Sequence, residues 1–160
     1  MRLPRKAILA LGIVVLVAAL AGVALVLFID SCPTFEERPG VAVRHDDFTF
    51  TVLDVRRTDD GLGGEGTATV RVRVKNEARR VNYDWDPSIA FVTDSRGGRH
   101  LPDRARSTPA VTLAPGQSIV ATLFFTLPAH DRHAMLGYWD GVLMGDVFDG
   151  LRYARTRIRV

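Results

Sequence analysis

Cysteine occurs once in the 160 residues, at position 32. A single thiol excludes an intrachain disulfide, and with it CxxC metal sites, thioredoxin chemistry and zinc ribbons. Lysine is nearly as scarce, with Lys6 and Lys75 the only two among 21 basic residues. Outside the N-terminus there is no surplus of positive charge. The net charge is +3, and setting aside Arg2, Arg5 and Lys6 leaves 18 basic against 18 acidic residues. The basic pI of about 9.5 is therefore no nucleic-acid footprint. The chain also lacks a nucleophile elbow, a phosphate loop and a pair of acids at a defined spacing. Nothing in it recommends an enzyme, and no cofactor is expected.

Charge of either sign is missing from Ala7 to Ile29, a run of 23 residues. As a helix it would measure about 34 Å, against roughly 30 Å for a bilayer's hydrocarbon core. Secretory signals have shorter apolar stretches and end in small residues, whereas this one ends Leu27-Phe28-Ile29-Asp30. Asp30, two places before Cys32, is equally foreign to a lipid-attachment motif. Arg2, Arg5 and Lys6 precede the run, and Asp30, Glu36 and Glu37 follow it. The positive-inside rule then keeps the N-terminus in the cytoplasm. Gly12 and Gly22 form no GxxxG pair, so no glycine-driven helix dimer is expected. The expected partition is a basic tail (1–6), an uncleaved transmembrane helix (7–29), a linker (30–40) carrying Pro33, Pro39 and Gly40, and an extracytoplasmic domain (41–160).

Beyond the linker the dominant hydrophobic period is two. In "TATVRVRVKN", Ala68, Val70, Val72 and Val74 alternate with Thr69, Arg71, Arg73 and Lys75, which predicts a half-buried strand. In "DFTFTVLDVRR", Phe48, Phe50 and Val52 share one phase, and Leu53 and Val55 break it, which predicts a bulge or a strand changing sheets. "SIAFVTD" reads as a third strand, followed by the tight connection "DSRGGRHL". Pro115-Gly116 predicts a type II turn feeding a strand that turns Ile119, Ala121, Leu123, Phe125 and Leu127 to one face. "AMLGYWD" and "RYARTRIRV" complete six or seven short strands. Outside the anchor no helical period is convincing. The fold class is all-β, a two-sheet antiparallel sandwich, with a small barrel as the competing architecture.

Three segments in order, "TVRVRVKN", "FVTDSRGGRHLP" and "LAPGQSIVATLFFTLP", resemble a bacterial membrane-anchored or secreted family of unknown function. The resemblance covers roughly residues 41–160. It rests on a strand ending in Asn76, an Asp94-Ser95-x-Gly97 turn, and a Leu-x-Pro-Gly turn feeding a strand that ends Leu-Pro. It implies an immunoglobulin-like β-sandwich, structurally related to the mycobacterial immunoprotective extracellular antigen, in the cell envelope. It implies no activity, so no functional residue carries over. Many members have paired cysteines or acidic linkers here; this chain has neither.

The candidate sites come from chemistry alone. Tyr83 and Trp85 in "NYDWDP" would suit a partner's surface or a sugar if exposed; otherwise Trp85 plugs the sandwich. Arg155, Arg157 and Arg159 form one basic row and Arg71, Arg73 and Lys75 another. If their strands share a sheet, the rows merge into a patch for anionic lipid or wall polymer. Otherwise such charges keep a sheet soluble and block edge pairing. His130 and His133 are the candidate metal ligands, set against a solvated loop. Asp59, Asp60 and Glu65 lie in a glycine-rich loop without EF-hand spacing. The resulting expectation is a non-enzymatic, membrane-tethered domain binding an envelope protein, polymer or lipid, with no nucleic-acid partner. The alternatives are a metal-handling or assembly factor for a membrane enzyme, or a structural accessory subunit of a membrane complex.

Overall fold

The computed structural model describes residues 12–17, 19–24, 34–45, 47–59, 64–129, 131–138 and 156–160. The chain divides into two compact units, 1–33 and 34–160. In the first, residues 12–17 and 19–24 are helical, and Ile13, Val14, Leu16 and Leu20 are exposed. Among the described residues no helix is long and apolar enough to cross a membrane. Residues 7–11, 18 and 25–29 of the expected span lie outside the described residues, as do the basic tail and Cys32. Asp60, His130, Trp139 and Arg155 lie outside them as well.

The second unit is a β-sandwich. One sheet has four strands in the order β2 (Ala42–His45), β3 (Phe48–Asp59), β4 (Glu65–Asn76) and β9 (Ser118–Pro128). The other has five, in the order β1 (Phe35–Glu37), β11 (Thr156–Arg159), β10 (Met135–Tyr138), β6 (Ala90–Thr93) and β7 (Arg99–His100). A two-stranded ribbon joins β5 (Tyr83–Trp85) to β8 (Val111–Leu113). Among the described residues all pairings are antiparallel except β1 with β11, which is parallel.

Period-two patterning builds the core. Ala68, Val70, Val72 and Val74 of β4 are buried, and so are Ala121, Leu123, Phe125 and Leu127 of β9. They meet Phe50 and Val52 of β3, and Val92, Leu136 and Ile158 of the five-stranded sheet, in one apolar cluster. Each buried Val, Leu, Ile or Phe among them contributes about 1.5–3 kcal/mol, the alanines less. The phase break in β3 is a bulge: the register shifts between Val52 and Asp54, so Val52 and Val55 both face inward. Gly116 has φ +76, and the Gln117 N–H donates to the Ala114 carbonyl at 3.0 Å, which closes the turn predicted from Pro115-Gly116.

Two boundaries differ from expectation. Residues 35–37, read as linker, are strand β1, pinned by parallel pairing with β11 and by an Arg159–Glu36 ion pair of 2.8 Å. Ser88 and Ile89, read as the start of a strand, belong to a 3₁₀ turn at Pro87–Ile89, and Asp86 caps it by accepting from the Ser88 N–H at 2.7 Å.

Candidate functional site

Strand β4 ends at Asn76, which is wholly buried. A buried amide must find partners, and this one does. Its Nδ2 donates to the Val81 carbonyl at 2.8 Å and to the Leu113 carbonyl at 3.0 Å, and its Oδ1 accepts from the Ala78 N–H at 2.9 Å. The backbone is tied on both sides. The Asn76 N–H donates to the Gln117 carbonyl, the Gly116 N–H to the Asn76 carbonyl, and the Glu77 N–H to the Asp47 carbonyl. One asparagine thus fixes the loop 77–82 against β3, the turn before β9, and β8.

Beside this loop lies a hollow of about 810 Å³, open to solvent and lined by Arg44, Asp47, Thr49, Glu77, Ala78, Arg79, Arg80 and Val81. Arg79 and Arg80 are exposed, and Val81 at the rim is 64% exposed. Glu77 is not an available counter-charge. Lys75 Nζ lies 2.8 Å from its Oε2 and the Thr49 hydroxyl donates to its Oε1 at 3.4 Å. The Lys75 contact, more than the others, holds the Glu77 carboxyl below the usual carboxylate range. No carboxylate bonds Arg79 or Arg80 among the described residues. Arg44, which has a contact of its own, and Asp47 also line the hollow, so the cations it offers an anion are Arg79 and Arg80, whose guanidinium forks suit carboxylate or phosphate oxygens.

The aromatic candidates take structural places. Trp85 is 2% exposed and packs in the core, so its ring is not offered for stacking, although the residue lines a shallow depression of about 310 Å³ with Asp84 and Asp86. Tyr83 is half-buried and stacks on Phe48, with ring centroids 3.7 Å apart. That stack ties β5 to the start of β3, next to Asp47 of the hollow.

The two basic rows do not merge. Arg71, Arg73 and Lys75 belong to β4 in the four-stranded sheet, whereas Arg157 and Arg159 belong to β11 in the five-stranded one. Arg157 is half-buried, its guanidinium 5.2 Å from the Phe91 ring centroid and its Nη1 donating to the Thr156 carbonyl at 2.9 Å. Arg159 is taken by Glu36. Gly137 makes room for this packing, since a Cβ there would sit 2.8 Å from both Phe91 and Arg157.

His133 is exposed, and its backbone N–H donates to Asp131 Oδ1 at 2.9 Å. Among the described residues no group of three or more His, Cys, Asp or Glu is placed to hold a metal ion. His100 instead pairs with Asp94, Nε2 to Oδ2 at 2.9 Å. Asp94 also accepts from the Arg96 and Gly98 N–H groups, and the His100 contact leads in lowering its carboxyl. Asp131 accepts from the Ser95 N–H at 2.7 Å. Burial alone would raise the Asp131 carboxyl, but the hydrogen bonds from Ser95 and His133 outweigh it and hold the group low. These carboxylates secure the β6–β7 hairpin.

Sequence reading missed Arg44, Arg79, Arg80 and the role of Asn76. The available signal was the doubled arginine in "NEARRVN", directly after a strand-ending asparagine.

No protein-family model matches the chain, and no curated protein does. Solved structures do. The yjhA protein of Bacillus subtilis superposes with a TM-score of 0.56 at 14% identity, over 78% of this chain and 98% of that one. An uncharacterized β-sandwich protein of Clostridium difficile 630 gives 0.51 at 11% identity, over 80% and 95%. These likenesses define the class as a β-sandwich of unknown function, and at such identities they speak for the fold alone.

Proposed function

We propose that this protein is a non-enzymatic binding domain held on the outer face of a cell membrane, and that the basic hollow beside loop 77–82 receives an anionic group of an envelope component. The observation that carries this reading is the hollow itself. It sets exposed Arg79 and Arg80, neither bonded to a carboxylate among the described residues, on an open space whose acids are Asp47 and Glu77, the latter engaged by Lys75. Such a site takes its ligand by charge-assisted hydrogen bonds and needs no bond-making chemistry.

The tether is the uncharged run from Ala7 to Ile29, behind Arg2, Arg5 and Lys6. Exposed Ile13, Val14, Leu16 and Leu20 on its helical part support an apolar environment for it. An anchored domain meets envelope ligands at raised effective concentration, so a modest intrinsic affinity suffices. The topology supports an immunoglobulin-like sandwich. β6, β10 and β11 match its C, F and G strands, while β3, β4 and β9 match A, B and E. The place of strand D is taken by residues 103–108, where the Asp103 and Thr108 N–H groups donate to the Phe124 and Thr122 carbonyls on the free edge of β9.

One labelling experiment tests both address and site. With Cys32→Ser as background, Val81→Cys and Leu101→Cys each place a thiol at an exposed position, the first at the hollow and the second away from it. Intact cells are treated with a membrane-impermeant maleimide. Labelling at position 101 with protection at 81, relieved in purified protein, is the expected outcome. Labelling at neither position until the cells are broken would contradict the outer location. Equal labelling at both in intact cells would contradict an occupied hollow.

A further inference from the structure

The outward face of β4 continues from the hollow. Arg71 and Arg73 are exposed, and neither is bonded to a carboxylate among the described residues. Alternate residues of a strand lie about 6.7 Å apart on one face, so Arg71, Arg73 and Lys75 form a file leading toward Arg79 and Arg80. The rows to either side are not cationic at these levels. The register sets Thr51 and Val120 beside Arg73, and Asp54 and Thr122 beside Arg71. Asp54 is occupied by Arg56 at 2.9 Å. Arg44, beyond Thr49 in the Lys75 row, returns to the hollow.

Outward charges on a sheet commonly guard an edge against pairing. β4 has no free edge: β3 flanks it along one side and β9 along the other. Edge protection therefore does not account for the arginines of this strand.

We infer that the file on β4 and the hollow at its end form one track for a linear polyanion, a polymer carrying a phosphate or carboxylate on each repeat. This rests on the hollow being an anion site and adds the class of its ligand. A chain fits better than a lipid surface because the charges run in single file. A negatively charged plane would meet uncharged Thr51, Thr122 and Val120 beside them. A chain laid along the file meets the guanidinium groups of Arg71 and Arg73, passes Lys75, which Glu77 holds, and ends in the hollow at Arg79 and Arg80. Several weak contacts on one polymer then add, as they do not for a single small anion.

The test uses the full chain in discs of zwitterionic lipid, titrated with fluorescent linear polyphosphate at several salt concentrations. Arg71→Gln with Arg73→Gln is one variant, and Arg79→Gln with Arg80→Gln the other. Each pair should weaken polymer binding by about tenfold and flatten the salt dependence by roughly 1.5 in slope, because two cations leave the contact. Orthophosphate at the same phosphate concentration should bind far more weakly than the polymer. If the 71/73 pair leaves binding intact and the 79/80 pair abolishes it, the track is wrong and the hollow stands. If neither pair matters, both are wrong. If discs containing phosphatidylglycerol displace the polymer from the unaltered chain but not from the 71/73 variant, the file is a lipid surface and the polymer assignment is overturned.

Discussion

At the C-terminal end of β4 a neutral amide pins the chain, while near the opposite end of the same sheet carboxylates do the pinning. Asn76 holds loop 77–82 and the β8 ribbon with three side-chain hydrogen bonds, none of which titrates. Asp131, just past the end of β9, holds Ser95 and His133, while Asp94 holds its own hairpin and His100. Both ends solve the same problem, a loop whose backbone N–H groups are given side-chain acceptors. They differ in what acid does to them. The frame of the hollow is indifferent to protonation, and the β6–β7 hairpin is not.

The largest effect should come from Asn76→Ala. It strands the Val81 and Leu113 carbonyls and the Ala78 N–H, and unmoors the loop that carries Arg79 and Arg80. A loss of about 3 kcal/mol is expected in denaturant unfolding, with the same loss at neutral and acidic pH. A loss that shrank in acid would erase the contrast between the two ends.

Asp131→Asn should cost less, about 1–2 kcal/mol at neutral pH, since one charge-assisted acceptor is replaced by an amide. Its signature is the pH dependence. Asp131 and Asp94 have folded-state values below that of an unfolded aspartate, about 3.9. Their contribution is therefore complete above that value and is lost as pH falls through the folded ones. Unaltered protein should destabilise in that acid window, and the Asp131→Asn chain should follow a shallower curve. Parallel curves would show that acid acts elsewhere.

Asp94→Asn should behave similarly but more locally. Hydrogen exchange should quicken at Arg96 and Gly98, whose N–H groups Asp94 accepts, with little change in the melting midpoint. The smallest effect belongs to Glu77→Gln at the hollow. Glu77 lies on the surface, so stability should be unchanged, while freeing Lys75 should strengthen polyanion binding a few-fold. Weaker binding would mean that Glu77 itself contributes to the ligand contact.

Much of the sandwich could be read from residues 48–76 and 118–127, because each strand there buries every second side chain and period two is visible within a single strand. The bulge at Leu53 and the Pro115-Gly116 turn carry local signals of the same kind. What escaped depends on partners far along the chain. Phe35–Glu37 has no strand pattern of its own and becomes one by pairing with Thr156–Ile158. Arg157 alternates like an outward residue, yet its place is set by Phe91 and by the missing side chain of Gly137. The hollow has no period at all. It exists because Asn76 folds loop 77–82 back against β3 and β8, which neither "NEARRVN" nor "FTFT" announces alone.

The central claim, an anion site framed by Asn76 and walled by Arg79 and Arg80, is tested most directly by hydrogen–deuterium exchange. The full chain in zwitterionic discs is compared with and without linear polyphosphate. Slowed exchange concentrated in residues 77–82, with the 95–98 turn unchanged, is the predicted result. Protection confined to that turn or to β10 and β11, with 77–82 exchanging as before, would contradict it.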